Sequence, residues 1–207
     1  MVAEIGHIFL IFAFVLSIFQ LIKTVKISFI SFSEDIYAVV RKTSYIISVL
    51  LVLSFISLII SYINSDFSVL NIYNNSHTSK PLIYKISGTW GNHEGSLLMW
   101  LAILGVYSFF LTYFSDTSYQ TFNSKVFFTK NLVNFGFIGF TIFTSNPFLR
   151  ITPIPEEGNG LNPVLQDPGL ALHPPLLYLG YVGLTIPFAS SIAALLEGKV
   201  NKIWAKE

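Results

Sequence analysis

Two short stretches of this 207-residue chain hold the residue types that do chemistry. The first is Gly88-Thr89-Trp90-Gly91-Asn92-His93-Glu94-Gly95-Ser96, in which three glycines fall within eight residues around a histidine and a glutamate. An imidazole nitrogen can bind a metal or haem iron, and clustered glycines permit close backbone approach to a partner or a flat ligand. A structural role also covers much of this stretch. Asn92 can cap a helix, Glu94 suits a positive helix N-terminus, and Trp90 and Trp100 suit the headgroup level of a bilayer. His93 is therefore both a candidate ligand and an ordinary interfacial histidine.

The second stretch is His173-Pro174-Pro175, followed by Leu177, Gly180, Gly183 and Leu184. Proline fits the first turn of a helix, so the spacing places His173 at a cap-like position where a span enters the membrane. A neutral ring nitrogen at a helix N-terminus is available to a metal. Leu177, Gly180 and Leu184 share a face at helical spacing, and Gly180 and Gly183 leave room for something flat and bulky. The competing reading is a histidine that hydrogen-bonds a neighbouring helix. Upstream lie five prolines, Pro147, Pro153, Pro155, Pro163 and Pro168, which make a fixed surface rather than a tether. Within it Asp167 can cap a turn at Pro168-Gly169 or pair with Arg150, and Glu156 and Glu157 read as solvated. No carboxylate pair, Ser-His-Asp set or phosphate cradle accompanies these residues.

Both stretches must be positioned by membrane-spanning helices. The chain is 53% apolar and only 11% charged, against about 25% charged in soluble proteins. A net charge of +1 argues against a nucleic-acid partner, and the absence of cysteine excludes disulfides and thiolate sites in this chain. Five apolar stretches near the length needed to span a bilayer predict an all-α, polytopic integral membrane protein forming one membrane domain in contact with lipid. They run at about 2–22, 45–63, 94–114, 126–145 and 171–196. The first lacks the basic leader and small-residue cleavage site of a signal peptide. The fourth is the least apolar, because Lys130, Asn131 and Asn134 dilute it, and the fifth is interrupted at Pro187. Nine Lys and Arg fall in the connections 23–44 and 115–130 and in the tail (Lys199, Lys202, Lys206), against three in 64–93 and 146–170. That bias places the N-terminus outside, the C-terminus inside, and the chemistry-bearing segments 64–93 and 146–170 on the outer face. Phe, Ile, Asn, Tyr and Lys supply 77 residues against 33 from Gly, Ala, Arg and Pro, which points to an AT-rich genome such as that of an organelle or an endosymbiont-like bacterium.

The motifs carry a resemblance. Trp90-Gly91-Asn92-His93-Glu94-Gly95-Ser96 resembles the WGxxEGS signature of the CcmF family of cytochrome c maturation proteins. Leu161-Asn162-Pro163-Val164-Leu165-Gln166-Asp167-Pro168-Gly169-Leu170 with His173-Pro174-Pro175-Leu176-Leu177-Tyr178-Leu179-Gly180-Tyr181-Val182-Gly183 is similar to its LNPLLQDPG…HPPLLYxGYVG block. Glu4-Ile5-Gly6-His7 resembles its opening. Family relatives in nitrite-reductase assembly are similar in the same segments.

The resemblance implies a subunit of a membrane haem lyase, which attaches haem from a haem chaperone to the Cys-x-x-Cys-His thiols of apocytochrome c. It implies thioredoxin-like apocytochrome-handling partners and a b-type haem held between two transmembrane histidines, with His173 as one axial ligand. Trp90, Gly91, Glu94, Gly95 and Ser96 would belong to the family's outer face. The family's Trp-rich WWD loop, its flanking histidines and the second haem ligand have no counterpart here, since tryptophan occurs only at 90, 100 and 204. The expectation is an N-terminal piece of a split CcmF that is inactive alone, needs a companion chain to complete its haem sites and resides in the mitochondrial inner membrane, or in a bacterial plasma membrane. The rival expectation is a haem-free structural subunit of a respiratory complex. Conduction is disfavoured, because the spans hold few ionisable groups.

Overall fold

The structure is a computed structural model that describes residues 1–198, apart from the side chain of Thr117. Lys199, Lys202 and Lys206 of the basic tail, and Trp204, lie outside the described residues. Among the described residues, eight α-helices follow one another. They are α1 (Val2–Val25, continued by a π turn to Ile30), α2 (Glu34–Ile63), α3 (Leu70–Asn75), α4 (Leu82–Gly88), α5 (His93–Phe114), α6 (Gln120–Thr144), α7 (Pro168–Gly183) and α8 (Thr185–Glu197). Among the described residues, five segments, Val2–Ile30, Glu34–Ile63, His93–Phe114, Gln120–Thr144 and Pro168–Glu197, are long and apolar enough to cross a membrane. The chain is thus an almost wholly helical, multi-pass membrane protein.

The spans begin and end where the caps put them, and this lengthens two of them. Most of the expected connection at 23–44 is helical. α1 runs on past the apolar stretch, and α2 starts at Ser33, whose hydroxyl accepts the Ile36 N–H while Glu34 and Asp35 occupy the first turn. The fourth span likewise starts at Gln120 rather than 126. Lys130, counted above among connection residues, is instead buried inside α6.

The fifth span is two helices, and the break falls before Pro187. Proline has no amide hydrogen for the carbonyl four residues back, which is that of Gly183, and its ring crowds that carbonyl. α7 accordingly stops at Gly183 and α8 begins at Thr185. Segment 64–93 is not a plain loop, since it folds into α3 and α4.

Packing follows small residues. α2 lies between α1 and α5, α1 also packs on α6, and α6 on α8. At the α1–α2 crossing, a Cβ on Gly6 would stand 2.8 Å from Ser57 Cβ, and Ser54 Oγ donates to the Gly6 carbonyl at 2.9 Å. Without a hydrophobic drive between helices in lipid, such close approach and interhelical hydrogen bonds hold the bundle together. The buried Ser48, Ser57 and Ser61 satisfy their hydroxyls by donating to carbonyls one turn back. Ile8, Phe12, Val15, Ile46, Ile56 and Phe143 face outward, as a lipid-contacting rim requires.

One end of the bundle gathers the N-terminus, residues 64–92 and residues 145–167. Val69 and Arg150 form an antiparallel bridge, Leu70 N donates to Leu149 O at 2.8 Å, and Gly160 N donates to Ser76 O at 2.9 Å. Phe148 and Leu161 are buried there. The proline-rich segment is therefore a fixed surface, as its composition suggests.

Candidate functional site

Asp167 caps α7, its Oδ1 accepting the N–H groups of Gly169 at 2.8 Å and Leu170 at 3.1 Å, with Pro168 as the first helical residue. His173 is consequently the sixth residue of α7 rather than its cap, and the helix-end argument for it lapses. At 1.5 Å rise per residue the ring sits roughly 8 Å below the helix start, near the rim of the bundle rather than at mid-depth. Pro174 and Pro175 lie inside the helix instead of in its first turn.

Those internal prolines have a consequence for the other motif. Pro175 has no N–H for the carbonyl of Ala171, four residues back. That carbonyl is buried and accepts the indole Nε1–H of Trp90 at 2.9 Å. The helix bond lost to one motif is thus made good by the tryptophan of the other, 81 residues earlier. We expect Trp90→Phe to orphan the Ala171 carbonyl and destabilise the bundle by about 1–3 kcal/mol, the range for a buried group left unpaired. Pro175→Ala restores an intrahelical donor, so thermal unfolding in detergent should show a smaller loss for Trp90→Phe in that background. Equal losses in both backgrounds would refute the coupling.

The two motifs enclose a cleft of about 330 Å³. Trp90, Gly91, His93 and Ser96 line one side, Leu170, Ala171, Pro174 and Tyr178 the other, and Leu161 and Leu165 close the rim. Ser87 Oγ, also in the lining, is buried with no hydrogen-bond partner among the described residues. Behind the lining, the ring of Trp100 stacks on Phe137 and meets Tyr178 edge-on, which holds the Tyr178 ring in place.

The remaining residues of the first motif hold its shape. Asn92 caps α5 by accepting from Gly95 N at 2.8 Å, and its amide donates to the Gly88 carbonyl at 2.8 Å and to Tyr62 Oη at 3.1 Å. Asn71 Nδ2 donates to Asn92 Oδ1 at 2.7 Å and to Glu94 Oε2 at 3.3 Å. Glu94 therefore turns away from the cleft, towards a small recess of about 50 Å³ shared with Asn74, Asn75 and Asn146. A Cβ on Gly95 would stand 1.6 Å from the Thr89 carbonyl oxygen, so this close approach lies within the chain and not towards a flat ligand. Ser96 Oγ donates to the Trp90 carbonyl at 2.8 Å. His93 is exposed, with Nε2 at 2.9 Å from Ser145 Oγ.

The face around His173 is partly as expected. His173, Leu177, Gly180 and Leu184 are exposed along one side of α7 and its C-cap, and nothing lies within 4 Å of a Cβ built on Gly180. Gly183 departs from the expectation. Its Cβ would stand 2.9 Å from the Tyr107 hydroxyl, which donates to Leu179 O at 2.8 Å, so Gly183 packs α7 on α5 and opens no space. Among the described residues no group of three His, Cys, Asp or Glu is placed to hold a metal. Arg150 pairs with Glu4 and Asp66, leaving Asp167 to its cap. Tyr62 and Asn71 escaped the sequence reading, although a tyrosine closing an apolar span ahead of an asparagine-rich segment is a signal for a buried polar pair.

Outside the bundle, Thr78 fastens the proline-rich segment by donating its hydroxyl and its amide to Glu157. The Thr78 hydroxyl is the main cause holding the Glu157 carboxylate down at about 2, from an ordinary 4.5. A depressed carboxylate contributes its stability above the unfolded value and loses it as pH falls towards the folded one. We expect this contact to persist above pH 4.5 and to loosen as pH falls from there towards 2, read as increased amide exchange at Thr78.

A family profile described as cytochrome C assembly protein matches residues 90–206. The cytochrome c-type biogenesis protein CycK of Bradyrhizobium diazoefficiens is 44% identical over 207 residues, which cover all of this chain and 31% of that protein. Its namesake in Rhizobium meliloti is 43% identical over 206 residues, again the whole of this chain and 30% of the relative. In three dimensions the fold matches a solved cytochrome c haem lyase CcmF with a TM-score of 0.85 at 21% identity, over 99% of this chain and 32% of that one. The chain spans about a third of the length of the proteins it matches.

Proposed function

The chain belongs to the cytochrome c assembly protein family, and from that premise we propose that it serves cytochrome c biogenesis as the N-terminal membrane portion of a CcmF-type haem lyase. The observation that carries this reading is the convergence of its two motifs on one cleft, joined by Trp90 and Ala171, beside an exposed histidine face at the same end of the bundle. The charge bias of the connections supports an outer position for that end, where apocytochrome c and a haem chaperone would meet it.

His173 is the residue proposed to ligate haem iron. The fit is to one ligand and one wall. The imidazole stands exposed on α7, Gly180 leaves open space about two turns beyond it, and Leu177 and Leu184 offer apolar surface to a macrocycle. A second ligand and the facing wall would come from a companion segment or chain, which would also bring the WWD loop. Haem bound there supplies a one-electron couple whose potential depends on axial ligation and burial. This chain's part is to hold the ring nitrogen in place, keep water off the iron with its leucines, and seat the outer cleft on rigid helices. The AT-rich composition fits an organellar gene as well as an endosymbiont-like bacterium, and a split gene of this family would place the chain in the mitochondrial inner membrane. The two relatives named above are bacterial, where the same device would sit in the plasma membrane.

Co-purification through this chain tests the assignment. We expect thioredoxin-like thiol proteins, a haem chaperone and a WWD-bearing membrane chain. Recovery of respiratory-complex subunits in their place would overturn it.

A further inference from the structure

The residues that dilute the fourth span carry an inference of their own. Lys130, Asn131 and Asn134 lie within about one turn on α6 and are 0–1% exposed, as is Gln20 on α1. Asn131 Nδ2 donates to the Ser17 carbonyl at 3.0 Å, one turn before Gln20, whose own Nε2 donates to Val40 O at 3.0 Å and Ser44 Oγ at 2.6 Å on α2. The group is therefore assembled from three helices. Five of its polar atoms nevertheless find no hydrogen-bond partner among the described residues: Gln20 Oε1, Lys130 Nζ, Asn131 Oδ1, and Asn134 Oδ1 and Nδ2.

Lys130 is the eleventh residue of α6, roughly 15 Å from the start of the helix at 1.5 Å per residue, which is near the middle of a hydrocarbon core about 30 Å thick. A buried polar atom without a partner is costly even in soluble proteins, so five together are not left bare in a membrane bundle. Lipid cannot satisfy them, and an outside side chain cannot reach residues that are fully enclosed. Water can, because it both donates and accepts and makes about three hydrogen bonds when buried. The set needs both functions, with amide oxygens to receive protons and the lysine and Asn134 amide to give them.

We propose that Gln20, Lys130, Asn131 and Asn134 bind about two internal water molecules at the midplane of the α1–α2–α6 contact, forming a hydrated polar site inside the bundle. The lysine head is solvated by these waters and by the amide oxygens around it. The site is separate from the outer cleft and from the His173 face, and does not depend on the haem assignment.

Radiolytic hydroxyl-radical footprinting of the full membrane complex tests this, because radicals born from bound water oxidise the side chains beside it. A reporter is placed by Gln20→Met and compared with Leu10→Met, an equally buried position on α1 within the apolar core. We expect the reporter at 20 to oxidise severalfold faster, and the excess to vanish when Lys130→Leu is added. Should Gln20→Met fail to accumulate, Asn134→Met against Ile138→Met reads the same quantity from α6. Equal slow oxidation in either pair means a dry site with direct lysine–amide contacts and overturns the proposal, as does an excess that survives Lys130→Leu.

Discussion

His173→Ala should abolish covalent haem attachment while leaving the chain as abundant in the membrane as before. The ring is exposed on α7 and makes no hydrogen bond among the described residues, so its removal leaves no orphan and no cavity in the bundle. If it ligates iron, the loss of c-type cytochrome should exceed the roughly 10–100-fold that even outer-shell partners of a metal site cost. A second substitution separates ligation from shape. Gly180→Trp puts bulk on the same face, starting from a Cβ that has nothing within 4 Å, and should mimic His173→Ala. Haem-stained gels of periplasmic or intermembrane-space proteins, set beside an immunoblot of this chain, read both effects. Normal cytochrome levels in both variants would remove His173 from the mechanism.

Gly95→Ala should be the most damaging small substitution in the chain, for a structural reason. The added Cβ would lie 1.6 Å from the Thr89 carbonyl oxygen and 2.8 Å from its carbon, and both belong to backbone that cannot swing aside like a side-chain tip. Relief requires pulling the turn at 88–92 away from the start of α5. That breaks the Asn92 cap and strands Tyr62 and Asn71, which are buried behind it. The expected cost exceeds about 4 kcal/mol, among the exceptional single-residue effects, against typical total stabilities of roughly 5–15 kcal/mol. The variant should fail to accumulate. Gly180→Ala, by contrast, meets nothing within 4 Å and should accumulate normally, gaining helix propensity. Equal abundance of the two glycine variants would show that the turn is not rigid.

The five spans were legible because lipid demands long apolar helices, a signal that no tertiary contact overrides. Their ends were not. Ser33, Asn92 and Asp167 set three helix starts by capping, and only Asn92 and Asp167 stood out in sequence, beside motifs. Charge counting is blind to depth and takes Lys130 as a connection cation although it also falls within the fourth span; in the structure it is buried at mid-helix, and eight inner cations against three still favour the same orientation. The His-Pro-Pro motif was misplaced by six residues, because the fit of proline to a first helical turn outweighed the cap signal of Asp167 and Pro168. Gly180 and Gly183 look alike in sequence, yet one faces open space and the other receives Tyr107, a distinction made only by the rotation of α7 against α5. The coupling of Trp90 to the carbonyl freed by Pro175 joins residues far apart in the chain, and no spacing rule reveals it.

The most direct test is a reduced-minus-oxidised absorption spectrum of the complex purified through this chain, recorded with and without His173→Ala. A haem band in the native complex that is lost or shifted in the variant is the predicted result. A complex without haem, or a band indifferent to His173, would contradict the account.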